Sequence, residues 1–134
     1  MTKLVDIEGL SARHAKQLQQ AGVRSAESLL KKAGSKKGRQ DVSKSCQLSE
    51  KQLLEWVNRA DLTRIKGIST QFSDLLENSG VDSVPELANR KADNLYAKLH
   101  EVNKKKHFVK RLPSEKEVAH WVSEAKRLPK MVTH

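Results

Sequence analysis

Apolar residues recur along most of this chain at the spacing of an amphipathic helix. In residues 53–60 they stand at i, i+3, i+4 and i+7, and residues 118–125 repeat this arrangement, with Trp56 and Trp121 at matched places. No segment shows the convincing alternation of apolar and polar residues that marks a half-buried strand. The pattern predicts an all-α fold of roughly eight to ten short helices.

Polar residues and glycines mark where these helices begin and end. Ser49, Ser83 and Ser114 each stand three residues before a Gln or Glu, which is the spacing of a capping box at a helix N-terminus. Gly22 and Gly80 are each followed by valine. This pair predicts a left-handed glycine at a helix C-terminus with an apolar contact just beyond it.

One stretch of sequence occurs twice. The segment "DIEGLSARHAKQLQQAGVRS" at 6–25 returns in outline as "RIKGISTQFSDLLENSGVDS" at 64–83, and Gly9 matches Gly67 at an offset of 58 positions. In both copies an apolar-x-Gly-apolar turn precedes a helix, so the glycine permits a tight hairpin between two helices. The start of the following helix offers unpaired N–H groups and the positive end of the dipole to one phosphate of a nucleic-acid strand.

A second match follows the first, with a longer offset. Residues 49–60 resemble residues 114–125, 65 positions later, so the second copy carries an insertion of 7 residues. We therefore predict two halves of similar plan, 1–60 and 61–134, each with a tryptophan helix and the second with an inserted basic segment. Because a piece of about 60 residues buries little apolar surface alone, we expect the halves to pack into one compact unit.

The hairpins "IEGLS" and "IKGIS" resemble those of the helix-hairpin-helix family of nucleic-acid-binding proteins. Ala15 and Ser73 match the small residue near the start of its second helix, and Ser11 and Ser69 stand where that family has a second glycine. Serine can still cap the helix and offer its hydroxyl. The resemblance implies contact between the hairpin backbone and nucleic-acid phosphates.

The whole chain, 1–134, also resembles an uncharacterised bacterial domain family built from tandem hairpins of this kind. The stretches that carry this resemblance are "LLEWVNRADLTRIKGI", "SDLLENSGVDSVPELANR", "NLYAKLHEVN" and "RLPSEKEVAHWVSEAKRLPKMVTH". The resemblance implies the fold and carries no established activity with it.

Charge is distributed unevenly along the chain. The net charge is +10, which favours a polyanionic partner. Residues 1–60 hold 12 basic and 6 acidic side chains, 61–90 hold 3 and 5, and 91–134 hold 11 and 5. Since Arg13 and Lys16 follow the first hairpin, whereas acids follow the second, we favour the first hairpin as the phosphate contact.

We predict a non-enzymatic nucleic-acid-binding module, with DNA favoured over RNA, that contacts phosphates with little sequence specificity. The densest basic runs are "KKAGSKKGR" and "KKKHFVKR". If the two runs converge on one face, several phosphate contacts give strongly salt-dependent binding. The candidate contact residues are Gly9, Leu10, Ser11, Arg13, Lys16, Lys36, Lys37, Arg39, Gly67, Ile68, Ser69, Lys104, Lys105, Lys106, Lys110 and Arg111.

Two alternative interpretations remain open. Tandem helical pairs also suit an interaction or scaffold module that binds another protein, which the acidic second hairpin favours. Residues 40–57 have the apolar spacing of a helix-turn-helix, with Gln47 in its turn, but the candidate recognition helix exposes Glu50 and Glu55. An exposed apolar groove favours the scaffold, and a continuous basic face favours nucleic acid.

Other chemistry has little support in the sequence. The five histidines show no catalytic or metal-binding spacing, and no glycine-rich nucleotide loop is present, so we expect no enzyme activity, cofactor, metal or small-molecule substrate. We interpret Cys46 as a buried inert thiol and the aromatic residues as core. Without a secretory signal or an apolar run of about 20 residues, the chain is expected to be cytoplasmic, with no membrane partner.

Overall fold

The computed structural model describes residues 3–7 and 9–134, and this part of the chain contains α-helices and no β-strand. The all-α prediction is confirmed, and the described residues form eight α-helices. A short 3-10 helix, Leu4–Asp6, precedes them. The helices are α1 (Ala12–Gln20), α2 (Ala26–Ala33), α3 (Lys36–Cys46), α4 (Glu50–Leu62), α5 (Thr70–Asn78), α6 (Val84–Ala88), α7 (Ala92–Lys105) and α8 (Glu115–Arg127).

The chain divides into two compact units. The first comprises Met1–Asp61 together with Met131–His134, and the second comprises Leu62–Lys130. Each unit has its own hydrophobic core, built around Trp56 in the first and around Trp121 in the second. The internal repeat of the sequence is therefore also a repeat of hydrophobic cores.

The matched glycines have matched backbone conformations. Gly9 and Gly67 have φ of 84° and 99°, and in both turns the next residue donates its amide to the carbonyl three residues earlier at 3.1 Å. Gly22 and Gly80, with φ of 81° and 92°, follow the ends of α1 and α5. The valine after each donates to a leucine five residues earlier, so the predicted glycine C-caps are confirmed.

The predicted capping boxes have different outcomes. The box at Ser114 is complete, because its Oγ accepts the Glu117 amide at 3.1 Å and the Glu117 carboxylate accepts the Ser114 amide at 3.2 Å. At Ser49 the Oγ accepts the expected amide three residues on, at 3.0 Å. The prediction is wrong for Ser83, which precedes α6 without a side-chain capping bond, and Glu86 instead pairs with an arginine one turn later.

The last residues of the chain pack into the first unit. Val132 is fully buried in its core, and the Thr133 amide donates to the Gly34 carbonyl at 2.9 Å. A Cβ atom on Gly34 would lie 2.3 Å from the Met131 carbonyl oxygen, so only glycine allows this close approach of the two backbones.

Candidate nucleic-acid interface

The Gly67 turn (residues 65–69) leads directly into α5, whose first amides are unpaired. Ser69 is the N-cap residue, and its Oγ accepts the Phe72 amide at 3.2 Å. Within the described part of the chain, the amides of Ser69, Thr70 and Gln71 donate no hydrogen bond. Three free N–H groups at the positive end of a helix dipole attract an anion.

The corresponding Gly9 turn (residues 7 and 9–11) differs by one occupied amide. The Ser11 amide donates to Nδ1 of His14 at 3.2 Å, and the His14 ring packs on Trp56 with centroids 4.8 Å apart. Phe72 takes the place of His14 in the second unit and packs on Trp121 at 5.3 Å. Since phenylalanine has no ring nitrogen to accept the serine amide, the Gly67 turn leaves one more donor available.

The second basic run is held in place by a buried asparagine. Asn103 is 7% exposed and lies near the end of α7. Its Oδ1 accepts the amides of Phe108 at 2.8 Å and Val109 at 3.2 Å, and its Nδ2 donates to the Val109 carbonyl at 3.2 Å. These three bonds tie Phe108 and Val109 to the end of α7.

The second basic run and the start of α5 line the same groove, which we call the α5 groove. It has a volume of about 860 Å³ and is lined by Ser69, Gln71 and Phe72 together with residues 107–111. No acidic side chain is among the described residues that line it. The structure therefore brings three predicted contact residues, Ser69, Lys110 and Arg111, into one site.

The two cations of the groove have different neighbours. Lys110 is exposed and forms no ion pair with any described residue. Arg111 pairs with Glu117 at 3.3 Å, but its side chain is 74% exposed, so this pair contributes at most about 1 kcal/mol. The Ser114 amide, with help from Arg111, holds the pKa of the Glu117 carboxyl below its usual value. A phosphate therefore competes with one weak ion pair at most.

The three lysines that precede the groove are all exposed. Lys105 lies 3.8 Å from Glu101 on the same helix. Lys106 places its Nζ 5.4 Å from the centre of the Phe108 ring. Lys104 forms no ion pair with a described residue. All of the basic side chains predicted for this run are therefore in contact with solvent.

In the first unit, four of the predicted cations are also exposed. Arg13 and Lys16 lie on α1, and Lys36 and Lys37 form the first turn of α3. A hollow of about 350 Å³ adjoins the Gly9 turn, and among the described residues that line it the charged side chain is Asp6. This hollow therefore lacks the cations that line the α5 groove.

Arg39 requires a correction. It was predicted to contact nucleic acid, but its side chain is 3% exposed and lies inside the first unit. Its guanidinium donates to the carbonyls of Ala33 at 3.1 Å, of Gly34 at 2.8 Å, and of Thr133. Burial lowers the pKa of this guanidinium, an effect that the Glu50 carboxylate partly offsets. Arg39 is a structural cation, because its donors serve the backbone and not the solvent-facing surface.

Leu10 and Ile68 also differ from the prediction. Each is 4% exposed, and each donates its amide within its own turn. Their side chains anchor the turns in the cores, and their amides are not available to a phosphate.

Two further cations have a role that the sequence analysis missed. Lys32 Nζ donates to the Ala21 carbonyl at 2.7 Å, and Arg90 donates to the Gly80 carbonyl at 2.9 Å. They are 58 positions apart, so they are matched in the repeat. The Lys32 ammonium lies at the C-terminus of α1 and the Arg90 guanidinium at the C-terminus of α5. Each places a positive charge beside the partial negative charge of the carbonyls at that helix end. The offset of 58 is the signal that identifies them.

The aromatic residues fall into two groups. Trp56 and Trp121 are each about 2% exposed, as expected for core residues. Phe72, Tyr96 and Phe108 are only partly buried and lie at the edge of the second core. The prediction that all the aromatics are core is therefore correct for the tryptophans and incomplete for the other three.

The remaining candidate groups show no assembled site. Cys46 is buried as predicted, and its burial raises the pKa of the thiol. His100 and His107 line a second cavity of about 470 Å³ in the second unit. Among the residues that the structure describes, no three His, Cys, Asp or Glu side chains are grouped to hold a metal ion.

Comparison with protein-family models identifies the domain. A model described as a domain of unknown function (DUF4332) matches residues 8–128. The chain belongs to the DUF4332 family. The family match includes the α5 groove and both basic runs, so these features lie within the DUF4332 domain. No curated protein and no solved structure matched the chain. In the described part of this DUF4332 chain, no helix has the length and apolar character needed to cross a bilayer.

Proposed function

We propose that this DUF4332 chain is a non-enzymatic nucleic-acid-binding module of the helix-hairpin-helix type. Its ligand is DNA in preference to RNA, and it contacts phosphates with little sequence specificity. The observation that carries the proposal is the α5 groove, where Ser69 at the helix start and Lys110 and Arg111 line one cavity. These groups supply backbone donors and exposed cations to the same anion.

The contacts involved explain why the binding has little sequence specificity. Backbone amides and lysine side chains bind phosphate oxygens, which are the same for every base. The exposed cations of the first unit, Arg13, Lys16, Lys36 and Lys37, add contacts of the same kind. Each phosphate contact contributes about −0.9 to the slope of log K against log salt concentration for duplex DNA. Binding therefore weakens steeply as salt increases.

The distribution of exposed apolar residues favours nucleic acid over the scaffold alternative. Among the described residues, the large hydrophobic side chains that are exposed are Val5 at 50% and Met131 at 38%. Protein-binding surfaces are marked by contiguous apolar patches of several hundred Å². Two exposed apolar side chains are too few to form such a patch. The basic run in residues 104–111, by contrast, holds five Lys and Arg side chains and no acid.

The test is fluorescence anisotropy with labelled duplex DNA, single-stranded DNA and RNA at several salt concentrations. Lys110→Glu is compared with Lys98→Glu, which makes the same charge change at an exposed position of α7 outside the groove. We expect Lys110→Glu to weaken DNA binding by about tenfold, since it removes one attraction and adds one repulsion. The salt slope falls by about 1 unit. Lys98→Glu changes the affinity by less than about twofold at moderate salt, because solvent screens a distant charge.

The first unit is tested with the double variant Lys36→Glu and Lys37→Glu in the same assay. A loss of affinity in this variant assigns part of the interface to α3. Two results contradict the proposed function: no binding of any of the three ligands at low salt, or an equal loss of affinity in Lys110→Glu and Lys98→Glu. The second result assigns binding to net charge alone.

A further inference from the structure

We infer that the α5 groove accepts an unpaired nucleotide, with its base against the aromatic floor of the groove and its phosphate at the basic rim. This inference rests on the proposed function, because it specifies which form of nucleic acid that site takes. It predicts that single-stranded DNA makes a contact in the second unit that duplex DNA does not make.

The groove combines two aromatic rings with a basic rim. Phe72 and Phe108 both line it, from the start of α5 and from the second basic run, and both are partly buried. Val109, which is 6% exposed, lies between Phe108 and the cation Lys110 in the sequence and also lines the groove. A groove lined by both aromatic rings and cations matches a ligand with a flat aromatic part and a negative part, which is the chemistry of a nucleotide.

Other contacts restrain the Phe72 ring and the backbone that carries the Phe108 ring. The Phe72 ring packs on Trp121, with centroids 5.3 Å apart and planes tilted by 52°. The backbone on either side of the Phe108 side chain is held by Asn103, which binds the Phe108 amide and both backbone groups of Val109. A stacking surface that is already ordered loses little conformational entropy when a base binds.

The Phe108 ring is also accessible to a charged group in solvent. Lys106 is exposed and places its ammonium 5.4 Å from the ring centre. Because the ammonium group of an exposed lysine reaches this ring, the ring is not sealed inside the core. A base that stacks there leaves Lys106 free to move toward the neighbouring phosphate, since the lysine side chain has no ion-pair partner among the described residues.

A duplex cannot use such a floor. Its bases are paired and stacked inside the helix, so it presents phosphates to a shallow site on the protein and keeps the base faces covered. An unpaired nucleotide exposes a face of its base, and stacking on an aromatic side chain is tolerant of base identity because every base has a π-face. The inference therefore adds preference for single strands without adding sequence specificity.

The experiment measures the affinity of the full chain for three DNA ligands by anisotropy. They are a single-stranded oligothymidylate, an oligonucleotide of the same length in which the bases are replaced by abasic sites, and a duplex. For the wild type we expect the abasic ligand to bind more weakly than the oligothymidylate by about 5-fold to 150-fold, which is the range for one stacked base. The two single strands carry the same number of phosphates, so electrostatics alone gives equal affinities.

The variants locate the contact. We expect Phe108→Ala to lower the affinity for oligothymidylate by at least about 5-fold and to leave duplex affinity within about twofold. Phe108→Tyr keeps an aromatic face and retains the single-strand affinity. Circular dichroism of each variant reports whether it is folded, and the abasic comparison on the wild type tests for a base contact without any substitution.

Each outcome has a distinct meaning. Equal affinity of the wild type for oligothymidylate and for the abasic ligand overturns the inference and leaves the proposed function in place. A folded Phe108→Ala variant that loses affinity equally for single strands and duplex also overturns it, because the residue then shapes the basic rim only. If the wild type binds none of the ligands at low salt, the proposed function and the inference both fail.

Discussion

Replacing Arg39 by alanine separates a structural cation from the surface cations beside it in the sequence. Its guanidinium is 3% exposed and donates to the carbonyls of Ala33, Gly34 and Thr133. A hydrogen bond to a charged group contributes about 1.5–3 kcal/mol, and bonds that share one guanidinium do not add in full. We expect Arg39→Ala to lower the free energy of unfolding by about 3–5 kcal/mol, a large part of the roughly 5–15 kcal/mol that stabilises a domain.

The assay is urea denaturation followed by circular dichroism, with Lys37→Ala as the matched control. Lys37 is exposed on the same helix, and its removal changes the free energy of unfolding by less than about 0.5 kcal/mol. Arg39→Lys keeps the charge but loses the planar fork that reaches separate carbonyls, so it lies between wild type and Arg39→Ala. For DNA affinity we expect the opposite order, with a larger loss in Lys37→Ala than in Arg39→Ala. The reasoning is refuted if Arg39→Ala keeps the wild-type stability and binds DNA more weakly than Lys37→Ala.

Two further substitutions test the second unit. Asn103→Ala removes no charge, yet we expect it to lower the free energy of unfolding by about 2–4 kcal/mol, because three hydrogen bonds to the basic run are lost. Urea denaturation measures this change. We also expect a loss of DNA affinity, which anisotropy measures. The folded-state pKa of Glu117 lies below the ordinary value of 4.5, so its stabilising contribution is present above that pH and is lost as pH falls through the folded-state pKa. The stability difference between wild type and Glu117→Gln therefore shrinks from neutral pH to about pH 3, as denaturation at the two pH values shows.

Local sequence patterns predicted most of the fold because they depend on neighbouring residues. The helical spacing of apolar residues is defined within two turns of the chain, and a glycine C-cap is defined by a glycine and the apolar residue after it. Gly22 and Gly80 adopt the expected positive φ for this reason. The offset of 58 positions also survives in the structure, where His14 and Phe72 make equivalent ring contacts with the two tryptophans.

The residues that were predicted incorrectly depend on contacts between distant parts of the chain. Arg39 lies in a run of lysines, and nothing local distinguishes it from Lys37. Its burial follows from the Thr133 carbonyl, 94 positions away in the sequence. Similarly, the α5 groove joins Ser69 to Lys110 and Arg111, which only the folding of the second unit brings together. A charge count assigns all cations to the surface, because it contains no information on burial.

The two halves of the repeat are not equivalent at the helix starts that follow their glycine turns. In the first unit, His14 occupies the Ser11 amide, and the joint after α2 is held by the cation Arg39. In the second unit, Phe72 leaves the serine amide free, and the joint is held by the neutral residue Asn103. A neutral side chain organises the second basic run without withdrawing any of its cations from solvent. The second half therefore keeps one more free amide at its helix start. The groove beside that start is lined by Lys110 and Arg111, whereas the charged side chain among the described residues that line the hollow at the Gly9 turn is Asp6. We therefore expect Lys110→Glu to weaken DNA binding more than Arg13→Glu does.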